Sequence, residues 1–330
     1  MHPDVEFTYL CGSDIAALEF SDAEILDAID AQIIEQGRGE TVIEPRMHLR
    51  PKGAEGHFNV LRGALGAFAG VKIVGDYVNN YKLGLPSEMA FVLLFDPMTG
   101  IPQAILDGTA ITDMRTGALT ALGGKYLARK HSKVLGHIGA RGSAYWNVRL
   151  LNHLFDFDEI RVHSRRPESR EAFAERLQAD LGKPVRVTET WKDCLLGADI
   201  MVEASRLIEP EPHFKTEWIT PGTLVVPYGT ISAVEYSLTD IMDKIVMDDW
   251  GQASAGPFGA LRRHVDDGKL TAETLHGEIG EIAAGLKPGR ENDEETILFW
   301  HRGLSLSDIA LAAAMLKKAR ALNLGRQLPL

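Results

Sequence analysis

The segment VLGHIGARGSAYWN, residues 134–147, runs an apolar strand into glycines and then into a helix-forming stretch, and the same rhythm repeats downstream. KVLGHI, EIRVHS, VRVTE, ADIMVEA, GTLVVPYG and KIVMDD read as short strands. Between them SAYWNVRLLNHLF, PESREAFAERLQADLG and WKDCLLG suit helices. Strands alternating with helices of this length imply a parallel, doubly wound sheet, covered on both faces. No other feature of the chain restricts its fold as much.

The upstream half has a different character. In SDAEILDAIDAQIIEQGRG, Ser21 is placed to cap a helix, Glu24 completes a capping box, and Gly37 or Gly39 is a stop. From about residue 42 to 106 the runs TVIEPRMHLR, GHFNVLRGAL, GVKIVGDYVNN and MAFVLLF, broken by signals such as DPMTG, predict a mainly antiparallel sheet. ITDMRTGALTALGGKYLARK returns to helical spacing and leads out of the first domain. Near the end, LSLSDIALAAAMLKKARALNLG predicts a long helix, capped by Ser305 or Ser307, stopped by Gly325, and returning to the first domain. A chain of 330 residues suits two domains, hence two lobes and a cleft. The expected division is 1–125 with 305–330, and 126–304.

The formal net charge of −11 argues against nucleic acid or an anionic membrane as the main partner, since both need clustered positive potential. A small molecule is the better expectation. Cys11 and Cys194 are the two cysteines, without CxxC or Cys/His ligand spacing, so no disulfide framework or metal site is implied. Asp248, Asp249, Glu278 and Glu281 read as solvated helix ends, with no cluster of His or Cys among them to suggest a metal. The N-terminus lacks a leader pattern and no window approaches a membrane span, so a cytoplasmic protein is expected.

The glycine turn carries chemistry. In a βαβ nucleotide site one glycine makes the tight turn and a second lets the backbone approach the pyrophosphate. A third small residue lets helix and strand pack, and the helix N-terminus offers N–H donors. Gly139, Gly142 and Ala144 fit that scheme if Arg141 fills the second position, with Ser143 leading into the helix. Arg141 either blocks the approach or sets its guanidinium against phosphate oxygens, and the second is favoured. Sites selective for NAD place an acid at the end of the next strand. Here EIRVHSRRPES offers Ser164, Arg165 and Arg166, which suit a 2′-phosphate. NADP(H) is therefore the preferred expectation and NAD(H) stays open. Tyr145 and Trp146, which begin the following helix, read as packing residues.

At GVKIV, GIPQAILDGTAITDMRTGALTALGGKYLAR, the glycine turn and ETILFWHRGLSLSDIALAA, the sequence resembles the ornithine cyclodeaminase/μ-crystallin family, from about residue 20 to the end. The resemblance implies a Rossmann-type domain inserted into a mixed α+β substrate and dimerisation domain, a homodimer, and hydride transfer between a nicotinamide and the α-carbon of an amino acid or its imine. It implies that Arg46 in PRMHL grips the substrate carboxylate, that Lys72 in GVKIV contacts substrate, and that Arg115 in MRTGA is a second carboxylate and cofactor contact. Ser87 in LPSEM and Ser205 match hydroxyl positions near the cofactor, and Asp308 matches a family Asp that approaches the active site. The chemistry agrees: Arg is a bidentate fork for a carboxylate, and a partly buried Lys suits proton transfer.

The chain also departs from the family. Cyclodeaminases carry an Asp after a strand and glycine, whereas VVPYGTISAVEYSL puts Thr230 there, so true ornithine cyclisation is not expected. In FWHRG, His301 replaces a small serine-like residue; its pKa range suits proton transfer, and filling space is the other reading. Glu88 is an acid where a neutral residue is usual, either recognising a substrate ammonium or lying on the surface. GARGSAYWN with Thr230 resembles an ectoine-utilisation branch, which would make the substrate a derivative of 2,4-diaminobutyrate or aspartate. His48 and His57 read as core or surface residues. Two functions follow: an NAD(P)-dependent imine reductase or amino-acid dehydrogenase, or a dinucleotide-binding protein that has lost the chemistry. A cyclodeaminase recycling NAD in place is the remaining alternative.

Overall fold

Period-two patterning between residues 42 and 106 produces an open, largely antiparallel sheet in the computed structural model, which describes residues 5–256 and 258–330. In chain order the first elements are β1 (Glu6–Leu10), α1 (Gly12–Ala17), α2 (Asp22–Gly37), β2 (Val42–Leu49), β3 (His57–Leu65), β4 (Phe68–Asp76), β5 (Glu88–Phe95), β6 (Pro102–Asp107) and α3 (Gly108–Leu127). There follow β7 (Val134–Ile138), α4 (Ala144–Phe155), β8 (Glu159–His163), α5 (Pro167–Leu181), β9 (Arg186–Val187), α6 (Trp191–Leu195), β10 (Ile200–Glu203), β11 (Leu224–Pro227) and β12 (Lys244–Met247). The last are α7 (Trp250–Ser254), α8 (Arg262–Asp266), β13 (Gly277–Glu278), α9 (Ile279–Ala283), β14 (Ile297–Trp300), α10 (Ser305–Leu322) and β15 (Arg326–Pro329). The protein is α/β, with one mixed and one parallel sheet, as expected.

The chain divides into two units, Met1–Arg115 with Leu304–Leu330, and Thr116–Gly303, the division falling inside α3. In the first unit the strand order is β15-β1-β6-β5-β4-β3-β2, antiparallel except for β1 beside β6. Helix α10 lies on β3, β4 and β5 and beside α2, which Ser21 and Glu24 cap as the sequence predicts. Close approach of α10 depends on Gly70: a Cβ there would stand 2.7 Å from Ile309 Cγ1 and 3.0 Å from the Leu93 carbonyl oxygen.

The opposite face of that sheet is apolar. Met47, Val60, Ile73 and Phe91 are register partners across β2 to β5, and Leu49, Phe58, Gly75 and Met89 form the next row. Directly opposed residues project to one side. Met47, Leu49, Ile73, Met89 and Phe91 are all exposed there.

In the second unit every recorded strand pair is parallel, in the order β13-β12-β14-β11-β10-β7-β8-β9. The six expected strands form. The sequence reading missed β14, whose four residues ILFW are completely buried between β12 and β11. So short an apolar run after a charged loop has no period to read.

The ends of α10 differ from expectation. Leu304 is the N-cap, because both serines are buried and otherwise engaged: Ser305 Oγ donates to the Arg62 carbonyl and Ser307 Oγ to Gln32 Oε1. The helix stops at Asn323, which takes the left-handed conformation at φ 54°, and not at Gly325. Nor is Asp248 solvated: it is fully buried and accepts from the Arg302 and Gly303 backbone N–H groups. Asp249 caps α7, while Glu278 and Glu281 form the capping box of α9. No described helix is long and apolar enough to cross a membrane. Overpacking a closed interface costs about 1–3 kcal/mol, so Gly70→Ala should lower urea-unfolding stability by about that amount while keeping the native m-value.

Candidate active site

In the first unit three ionised side chains meet under α10. Lys72, in the row Leu61, Lys72, Val92 and Leu106 on the α10 side of the sheet, is only 1% exposed. Its Nζ donates to Asp308 Oδ1 at 2.9 Å. Arg115, on α3 and 7% exposed, donates from Nε to the same oxygen at 2.9 Å. Asp308 sits in the first turn of α10, where the helix dipole favours a carboxylate, and is fully buried. Its Oδ2 is buried with no hydrogen-bond partner among the described residues.

Two cations thus share one carboxylate away from water. Burial pushes the Lys72 ammonium down to about 8, against the pull of Asp308 and with added repulsion from Arg115. Buried charge without full compensation is costly, so such a set can accept a further anion, and a carboxylate matches Arg115 in geometry. Glu88, half-buried at the start of β5, is close enough to help hold the Lys72 proton. Arg46 lies in the bulge of β2, where the register shifts between Glu44 and Met47, on the edge strand that tolerates Pro45. The Ser87 carbonyl accepts the Tyr77 N–H at 2.8 Å. His48 is exposed and His57 half-buried, their rings 5.6 Å apart.

The second unit holds the glycine turn. Gly139 has φ +107°, and a Cβ there would stand 2.6 Å from the Ala204 carbonyl carbon and oxygen, so the turn needs glycine. Gly142 has φ +55°. Ser143 is the N-cap of α4 yet makes no side-chain cap; its hydroxyl shares a 2.8 Å hydrogen bond with Tyr228 Oη instead. The first-turn N–H donors of a twelve-residue helix are thereby left uncapped by that side chain, the arrangement that receives a phosphate. These residues fit a dinucleotide. Arg141 is exposed at the turn. Tyr145 is buried and Trp146 packs on Gly117, both as expected.

A network missed in the sequence holds the turn. Asn147 Nδ2 donates to Tyr228 Oη at 2.6 Å and lies 3.0 Å from His137 Nε2. His137 Nδ1 lies 3.2 Å from the Gly139 carbonyl oxygen. Burial pushes His137 down to about 4, so its ring is neutral, with Nδ1–H assigned to the Gly139 carbonyl and Nε2 as acceptor. Tyr228 also stacks on His301, ring centroids 4.7 Å apart, and Phe299 stacks on the same imidazole at 5.3 Å. His301 is fully buried, with Nε2 2.9 Å from Thr120 Oγ1. The available signal was a polar residue just beyond the carboxyl end of a parallel strand, where such sheets bind ligands.

The remaining expected residues are spread around the same sheet end. Ser164 Oγ donates to the Arg166 carbonyl, and Arg166 is the exposed N-cap of α5. Arg165 Nη2 donates to Glu211 Oε2 at 2.7 Å. Ser205 donates from N and Oγ to Glu203 Oε1. Thr230 is exposed, its carbonyl accepting the Gly259 N–H at 3.0 Å. No group of three potential metal-ligating side chains occurs among the described residues.

Residues 8–323 match the model of the Ornithine cyclodeaminase/mu-crystallin family. Alanine dehydrogenase of Archaeoglobus fulgidus is 32% identical over 309 residues, covering 92% of this chain and 93% of that protein. An archaeal alanine dehydrogenase dimer with bound NAD superposes with a TM-score of 0.90 at 30% identity, over 98% of this chain and 99% of the other. Thermococcus litoralis Delta(1)-pyrroline-2-carboxylate reductase, in complex with NADH and L-proline, gives a TM-score of 0.91 at 29% identity, over 97% and 99%. With the matched model spanning residues 8–323, and a 32%-identical relative aligned over 92% of this chain, the chain belongs to the ornithine cyclodeaminase/mu-crystallin family.

Proposed function

We propose that this protein is a nicotinamide-dependent oxidoreductase acting at the α-carbon of an amino acid or its imine. The observation that carries the reading is the buried sharing of Asp308 Oδ1 by Lys72 and Arg115, in a chain that also holds an uncapped glycine-turn helix. Alanine dehydrogenase and pyrroline-2-carboxylate reductase, named among the relatives, both act at a carbon bearing nitrogen and carboxylate, which supports it.

A bound nicotinamide dinucleotide supplies the hydride acceptor or donor. Arg115, with Arg46, holds the substrate carboxylate. Lys72, depressed to about 8 by burial, moves a proton to or from the substrate nitrogen, and Asp308 keeps both cations in place. Gly139, Gly142 and Ser143 would hold the pyrophosphate, and Arg141 would add positive charge beside it. Ser205 would add a hydroxyl beside the dinucleotide. His301 packs in the aromatic stack beneath Tyr228, so its positioning role outweighs a proton-transfer one. Thr230 offers no carboxylate, which weighs against a cyclodeaminase. Glu88 near Lys72 suits a substrate carrying a second ammonium, in keeping with a diaminobutyrate derivative. Ser164, Arg165 and Arg166 suit NADP(H), but Arg165 is already engaged by Glu211, so NAD(H) is kept as a ligand.

Turnover is read at the nicotinamide absorbance with keto acids plus amines, and with diamino acids in reverse. Lys72→Met should lower kcat at least about a hundredfold. In wild type, kcat/KM for imine reduction should fall as pH rises through about 8, where Lys72 loses its donor proton, and that for amine oxidation should rise. Unchanged turnover in the variant removes Lys72 from the proton-transfer step, and no turnover in wild type with any substrate returns the protein to a binding role. Arg141→Gly should weaken dinucleotide binding about tenfold, by fluorescence titration, without lowering Tm.

We also propose a homodimer through the apolar sheet face of Met47, Ile73, Met89 and Phe91. A sheet face with so many large apolar side chains exposed suits association, and the related archaeal alanine dehydrogenase is a dimer. Phe91→Glu should convert the species seen by light scattering from dimer to monomer.

A further inference from the structure

The sheet order β10-β7-β8 sets the segments leaving β8 and β10 on either side of the glycine turn that ends β7. In this architecture the residues just after the second strand read the ribose 2′ substituent, an acid favouring the hydroxyl and an arginine the phosphate. The chain itself offers only Ser164, Arg165 and Arg166 there. Folding brings an acid to the same place from 46 residues further along: Glu211 Oε2 accepts from Arg165 Nη2 at 2.7 Å.

Glu211 is half-buried, and its backbone is held in place. Its backbone N–H donates to the Ser232 carbonyl, and its Oε2 lies 3.5 Å from His213 Nε2. His213 is buried, with Nδ1 3.5 Å from Oε1 of the buried Glu203 at the end of β10. The His213 ring stacks on Trp191 at 4.1 Å and 20°, and Trp191 meets His163, the last residue of β8, edge-on at 4.1 Å. A packed stack therefore sets His213, and with it the segment that carries Glu211, beside the end of the second strand.

Resting on the dinucleotide reading above, we propose that Glu211 is the specificity-determining residue for the cofactor, selecting NAD(H) over NADP(H). Its carboxylate takes up the guanidinium that a 2′-phosphate would need and adds like charge beside that position. An exposed ion pair contributes little to folding, whereas like charge set against a ligand phosphate discriminates strongly. The acid that the second strand lacks is supplied in space by the loop after β10.

The test is titration of wild type and Glu211→Gln with NADH and with NADPH, by calorimetry and by quenching of tryptophan fluorescence. Wild type should bind NADH more tightly. Glu211→Gln should raise the NADPH-to-NADH affinity ratio at least about tenfold with unchanged Tm, and adding Arg165→Ala should remove that gain. A ratio unaltered by Glu211→Gln, or a wild type that prefers NADPH, overturns the proposal while leaving the dinucleotide reading intact. Failure of both dinucleotides to bind wild type overturns that reading, and this proposal with it.

Discussion

Asp308 Oδ1 accepts from Lys72 and Arg115 at once, and this buried three-centre arrangement ties together elements far apart in the chain. It joins strand β4, the first half of α3 and the first turn of α10. Removing charge from water is expensive, and geometry this close is what makes it tolerable. The C-terminal helix is therefore more than a cover for the sheet, because it delivers the single carboxylate on which two cations depend. Gly70 is bare for the same reason, letting α10 approach closely enough for Asp308 to reach Lys72.

The second unit applies a different constraint. All its recorded strand pairs are parallel, so the strands' carboxyl ends lie along one edge, where loops can converge. At that edge, Tyr228 from the end of β11 and Asn147 and Ser143 from α4 hold the glycine turn through side-chain hydrogen bonds. The neutral His137 beneath closes the network without adding charge. Ser143 shares a hydrogen bond with Tyr228 and so leaves the N-terminus of α4 without a side-chain cap, at a local cost in helix stability.

Much of this was readable from residues alone. The glycine turn, the alternation of strands and helices, the Ser21 and Glu24 cap and the antiparallel run all rest on local chemistry, which acts over a few neighbours. The cap of α10 was misread because Ser305 and Ser307 look like cap residues, but burial gave their hydroxyls to Arg62 and Gln32. Strand β14 was missed because four buried apolar residues have no period. Asp248 was misjudged because its partners, the Arg302 and Gly303 N–H groups, are more than 50 residues away.

Residue types and their spacing were enough for the two sheet types, the glycine turn and, through likeness to a family, the cationic residues Arg46, Lys72 and Arg115. Local propensity and side-chain period are enough for these. Tertiary structure decided which of those charges share a partner, how far burial moves Lys72, and that Glu211 meets Arg165 beyond the end of β8. Each of these depends on distance through space and on exclusion of water, and neither is written in the spacing of residues along the chain.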